Sequence, residues 1–80
     1  MITAEKITKL SALKARDLED ALKNSGYTHQ DYDRPVDCEF LGITNSNDFC
    51  YKFTYREEDG WSYGKLFVNI DAMGKVVAEF

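Results

Sequence analysis

The sequence is poor in the residues that carry most protein chemistry. It has one histidine, two cysteines and one proline in 80 residues. The two thiols, Cys38 and Cys50, lack the CxxC spacing of a zinc knuckle or a thioredoxin-type motif. The lone histidine, His29, sits in a polar stretch with Asp31 and Asp33, not at a metal-ligand spacing. No glycine-rich phosphate loop occurs, and no thiol has a sequence-adjacent histidine to activate it. These absences argue against an enzyme, and no metal or cofactor is expected. No apolar run is long enough to span a bilayer, and MITAEKITKL lacks the uninterrupted apolar core of a signal peptide. A cytoplasmic protein with reduced thiols and no membrane partner is the expectation. Positive charge is also scarce: 14 acids against 10 bases give a net charge of −4. With no basic stripe to neutralise phosphates, nucleic acid is a disfavoured partner.

An apolar share of 44% and an aromatic share of 14% belong to a folded chain, and the length suits one small domain spanning residues 1–80. Thr3 reads as a helix N-cap, with Ile2 and Ile7 as a hydrophobic staple. Ile7, Leu10, Leu18, Ala21 and Leu22 fall on one helical arc, and Gly26 followed by Tyr27 predicts a Schellman-type end after Ser25. Lys14 intrudes on that arc and Leu13 lies off it. Either Lys14 snorkels to the edge of one long helix, or the helix breaks near Ser11. Asp17, Glu19 and Asp20 read as its solvated side with Arg16 and Lys23. Gly26 to Pro35 is a long polar connection to the first strand.

The remainder alternates with a period of two. Val36–Ile43 predicts a first strand, turning at Thr44–Asn47, with Phe40 facing Tyr51, Cys38 facing Phe53 and Val36 facing Tyr55. On the other side, Glu39 falls opposite Lys52. Asp59-Gly60 carries the strongest hairpin signal, a type I′ turn, which sets Phe53 against Leu66, Tyr51 against Val68 and Phe49 against Ile70. A three-residue turn at Ala72-Met73-Gly74 sets Ile70 against Val76, Val68 against Ala78 and Leu66 against Phe80. The expected fold is α+β, one N-terminal helix on a four-stranded antiparallel meander (αββββ). Its core would join Ile7, Leu10, Leu18 and Leu22 to Phe40, Phe49, Phe53, Leu66, Val68, Ile70, Val76 and Phe80. The two cysteines fall on opposite faces, which argues against a bridge between them.

The face turned away from the helix then carries Leu41, Ile43, Cys50, Trp61, Tyr63, Phe67 and Val77, with Glu39, Lys52, Arg56, Lys65, Asp71 and Glu79 around them. An apolar and aromatic patch of this kind marks an interface. Its candidate contact residues are Trp61, Tyr63, Phe67, Arg56, Lys52, Lys65, Leu41 and Ile43, with the 26–35 loop or the Glu57–Asp59 turn at the rim. In size, charge and this uncovered face the chain resembles the small acidic inhibitors of phages and plasmids, anti-CRISPR proteins among them, and bacterial immunity proteins. The resemblance implies a non-catalytic inhibitor or adaptor that covers part of a larger protein, such as a host defence complex in the host cytoplasm. It transfers no functional residues. Two alternatives stay open: a homodimeric accessory or immunity-type protein that buries the face in itself, and a single-stranded nucleic-acid binder that stacks bases on it.

Overall fold

The computed structural model describes residues 3–28 and 33–80. It is an α+β fold of two short helices, α1 (Ala4–Leu10) and α2 (Ala15–Asn24), on a four-stranded antiparallel sheet. The strands are β1 (Pro35–Ile43), β2 (Phe49–Glu57), β3 (Gly60–Ile70) and β4 (Val76–Glu79), adjacent in chain order.

Thr3 caps α1 as its sequence position predicts, its hydroxyl accepting from the Lys6 N–H at 3.1 Å. Its staple partner Ile2 lies outside the described residues. Of the two helix readings, the break near Ser11 holds and the single long helix does not form. Lys14 takes an extended conformation (φ −100°, ψ 170°) and becomes the residue before α2, its N–H bonded to the Asp17 carboxylate at 2.9 Å. The intruding lysine is thus a helix start, not a snorkelling side chain, and Leu13 packs half-buried against the core. The gap is filled from the sheet. The buried Tyr51 hydroxyl donates to the Leu10 carbonyl and accepts from the Leu13 N–H at 3.0 Å, satisfying one group on each side of the break. With α1 turned off the common arc, Ile7 is 40% exposed instead of in the core.

At the other end of α2 the Schellman close is present. Gly26 has φ 90°, its N–H reaches the Lys23 carbonyl at 3.1 Å, and Tyr27 reaches back to Leu22 at 3.1 Å. Ser25 and Asn24 then grip β4. The Ser25 hydroxyl accepts from the Ala78 N–H at 2.9 Å and donates to the Ala21 carbonyl at 2.9 Å, and the Asn24 amide donates to the Val76 carbonyl at 3.0 Å.

The centre of the β1–β2 ladder has the expected register: Cys38 faces Phe53, Glu39 faces Lys52 and Phe40 faces Tyr51. Both ends depart from it by a bulge. Val36 is skipped so that Pro35 faces Tyr55, and Leu41 is skipped so that Gly42 faces Cys50 and Ile43 faces Phe49. Gly42 takes φ 141° at the second bulge, which a side chain would resist. The 44–48 turn and the 71–75 turn are built alike. Thr44 and Asp71 each donate their N–H to a residue four further on, at 2.8 and 2.9 Å, and Asn47 (φ 65°) and Gly74 (φ 82°) supply the left-handed residue. The Thr44 hydroxyl and the Asp71 carboxylate each accept two backbone N–H groups inside their turns.

The β2–β3 hairpin is shifted by two residues from the expected type I′ form. Glu58 and Asp59 are the loop, Glu57 pairs with Gly60, and the glycine uses its positive φ (138°) just after the turn. Phe53 therefore faces Gly64, Tyr51 faces Leu66 and Phe49 faces Val68. The Phe53 ring occupies the space a side chain at residue 64 would need: a Cβ there would lie 2.6 Å from Phe53 Cζ. A slip of two keeps every residue on its face, so the two-sided character of the sheet is unchanged.

The core joins Leu10, Leu18, Ala21 and Leu22 to Phe49, Tyr51, Phe53, Leu66, Val68 and Ala78, with Leu13, Tyr27, Phe40, Ile70 and Val76 packed partly buried around it. Phe80, expected opposite Leu66 in that core, lies beyond the end of β4 and is 50% exposed. Its ring packs edge-on against Tyr27, with centroids 5.3 Å apart.

Glu19 is the one buried charge among the described residues, 5% exposed, where a solvated helix position was expected. Its carboxylate pairs with Arg34 Nε at 2.8 Å and Lys23 Nζ at 3.2 Å. Burial pushes its pKa up, but the bonds from Arg34 and then Lys23 outweigh that and hold it below the ordinary glutamate value. A folded pKa below the unfolded one contributes stability that is full above about pH 4.3 and is lost as pH falls through the folded value. Glu19→Gln should therefore flatten the acid limb of stability against pH, as read from urea unfolding midpoints measured from pH 6 downward, to about pH 3. A wild-type acid limb unchanged by the substitution would contradict this pairing.

Candidate functional site

The site is the sheet face that α1 and α2 do not cover. Period-two alternation along β2 and β3 sends Cys50, Lys52, Thr54 and Arg56, and Trp61, Tyr63, Lys65 and Phe67, to this side. The observed register makes cross-strand pairs of Arg56 with Trp61, Thr54 with Tyr63, Lys52 with Lys65 and Cys50 with Phe67. Trp61 is 63% exposed and Tyr63 62%, whereas Phe67 and Cys50 are partly shielded. The two largest rings thus stand together near the turn end of β3, beside Arg56.

Placing Lys52 directly opposite Lys65 is unfavourable for two like charges. Two contacts offset it. Glu39 lies opposite Lys52 on the β1 side, and the Lys52 ammonium sits 4.2 Å from the centroid of the Tyr63 ring, a cation–π contact. Three cations therefore lie among three aromatic rings on one face of an otherwise acidic protein, with Asp37 and Glu39 across β2 on β1.

Seven of the eight expected contact residues keep the expected side or stand at its margin. Trp61, Tyr63, Phe67, Arg56, Lys52 and Lys65 are brought together, and Leu41 is the exposed residue of the bulge at the edge of the sheet. Ile43 is the exception. Past that bulge it faces Phe49 and shares the helix-side face, 41% exposed, so it leaves the proposed surface. The bulge was signalled by Gly42, since a glycine inside a strand pattern often marks one. Of the expected rim, the Glu57–Asp59 turn is exposed beside Arg56. His29, Asp31 and Tyr32 of the 26–35 loop lie outside the described residues, and Arg34 of that loop, itself exposed, pairs with Glu19.

Both cysteines are free. The Cys38 thiol donates to the Leu13 carbonyl at 3.2 Å and is pushed up in pKa by burial, and further by Asp37 and Asp17. Burial likewise pushes up the Tyr51 phenol, which keeps the proton it donates to Leu10. Among the described residues no three His, Cys, Asp or Glu side chains are grouped to hold a metal ion. An open depression of about 610 Å³ on the helix side is lined by Lys9, Leu13, Asp20 and Lys75 among others, away from the aromatic face. No helix among the described residues is long and apolar enough to cross a membrane. Comparison with family models, curated proteins and solved structures finds no match for the chain.

Proposed function

We propose that this is a non-catalytic, cytoplasmic protein-binding module of the inhibitor or adaptor type, which covers part of a larger protein with its outer sheet face. The observation that carries the reading is the pairing of Trp61 and Tyr63, each more than three-fifths exposed, with Arg56, Lys52 and Lys65 on one rigid sheet. Tryptophan, tyrosine and arginine are the residue types enriched among binding hot spots, and a sheet holds them at low entropic cost. The cations favour a partner surface that is acidic and carries an apolar pocket for the indole. In its sharper form, suggested by resemblance in size and charge, the partner is a host defence complex met by a phage or mobile-element product.

The test is capture from host lysate followed by affinity measurement on the captured protein. Trp61→Ala should leave the unfolding midpoint unchanged and weaken binding at least about tenfold, roughly 1.4 kcal/mol. Equal affinity in the variant would sink the reading.

A second reading, single-stranded nucleic-acid binding, draws on the same cations lying among rings. It requires salt-sensitive quenching of Trp61 fluorescence by oligonucleotides, and a flat titration at low salt removes it.

A further inference from the structure

The sheet protects its two edge strands and leaves part of β3 uncovered. β1 is blunted by a bulge at each end, by Pro35, and by Asp37 and Glu39. β4 is capped by α2, with Ser25 and Asn24 taking the Ala78 N–H and Val76 carbonyl. β4, however, pairs only with Phe67–Ile70 of β3, and Phe80 leaves the ladder to meet Tyr27. Among the described residues, residues 60 to 66 of β3 have β2 on one side and no strand on the other.

Alternate residues of an antiparallel strand aim both backbone groups at the same neighbour. Asp71 aims its N–H at Lys75 across the last turn, so by parity Lys65, Tyr63 and Trp61 aim theirs at the open edge. The pairing of Gly60 with Glu57 across the two-residue turn gives the same parity from the other end. Three successive outward N–H and C=O pairs, bounded by Gly60 and by Phe80, form a template for one more strand.

We propose that the strand is a second copy of β3, joined edge to edge about a two-fold axis at Tyr63. That register sets Tyr63 against Tyr63 and Trp61 against Lys65 of the other copy, twice. The lysine that faces Lys52 within its own chain would thus lie along an indole. On the opposite face Ser62 meets Gly64, so no bulky side chains collide. Gly60, without a side chain, passes beside Phe80. Both copies use up the open edge of β3 in the same contact, which closes the assembly as a dimer instead of a fibre. The two four-stranded sheets become one, and their aromatic outer faces become continuous. The proposal does not rest on partner binding, and it differs from face-to-face pairing because it leaves that face free.

Sedimentation equilibrium of the full chain over a concentration series should approach twice the 9.2 kDa protomer mass. Lys65→Pro deletes an N–H only at the open edge, where a strand tolerates proline, and should return the mass to one protomer. Register is read by oxidation. Residues opposed in a hydrogen-bonded pair lie about 5.5 Å apart at Cα, within disulfide reach. Tyr63→Cys should therefore cross-link to itself, and Trp61→Cys, carrying the same native thiols, should not. The cysteine pair decides the matter if Lys65→Pro fails to fold. A monomer at every concentration, a dimer split by Phe67→Ala but not by Lys65→Pro, or equal cross-linking at 61 and 63 would each overturn the proposal. If Lys65→Pro is monomeric and still captures partner, the dimer and the docking face are separate properties.

Discussion

Tyr51→Phe should lower the unfolding free energy by about 2–3 kcal/mol, a large part of the stability of so small a domain. The ring stays, so no cavity opens and the apolar burial is nearly unchanged. What is lost is the hydroxyl between the Leu10 carbonyl and the Leu13 N–H, in a site where water has little access. Leaving buried backbone groups unpaired costs about 1–3 kcal/mol each, more than the net worth of the bonds themselves. Urea unfolding should show a lower midpoint with an unchanged slope, because the surface exposed on unfolding is the same. A shift below about 0.5 kcal/mol would mean that α1 is held by apolar packing alone and that the tyrosine does not fix the break.

Gly64→Ala should cost about 1–3 kcal/mol, against the usual rule that alanine is the better residue within regular structure. Its Cβ would meet Phe53 at 2.6 Å from Cζ and 2.7 Å from Cε1, so the ring must leave its place. Phe53→Leu would make room, so the two substitutions together should cost less than the sum of each alone. A coupling of about 0.5–3 kcal/mol is the range for side chains in direct contact. The measurement also reports register. With Phe53 facing Leu66, as the Asp59-Gly60 signal suggests, Gly64→Ala would be neutral or stabilising and no coupling would appear.

Much of the fold is legible in the residues. The Thr3 cap, the Gly26 close, the central β1–β2 register and the Gly74 turn each follow from one residue type with one conformational role. What decides between the two helix readings, and what pairs the buried Glu19, depends on partners far along the chain. The helix break is completed by a tyrosine 41 residues away from Leu10, and Glu19 is paired by Arg34 at the far end of the 26–35 connection. Local signals remained even so: Lys14 on an apolar arc, and a tyrosine on a core-facing strand position, whose hydroxyl needs a partner when buried. The hairpin slip shows a limit of turn chemistry. Asp-Gly suits a primed turn, but a glycine one place past an ordinary turn serves as well, and the Phe53–Gly64 contact fits the latter.

The candidate site survives that slip because two residues is a whole strand period. Trp61, Tyr63, Lys65 and Phe67 stay outward in either register, while only their neighbours on β2 change. A bulge is different, since it adds a single residue. That is why Ile43 changed sides and the others did not.

The claim that most needs testing is that the outer face, and not the helix side, meets the partner. Wild type, Trp61→Ala with Phe67→Ser, and Arg16→Ala on the exposed side of α2 should be compared as bait in quantitative capture from one lysate, each first shown to unfold at the wild-type midpoint. The account predicts a protein retained by wild type and Arg16→Ala and lost from the outer-face variant. Retention by the outer-face variant with loss from Arg16→Ala would contradict it and move the site to the helices.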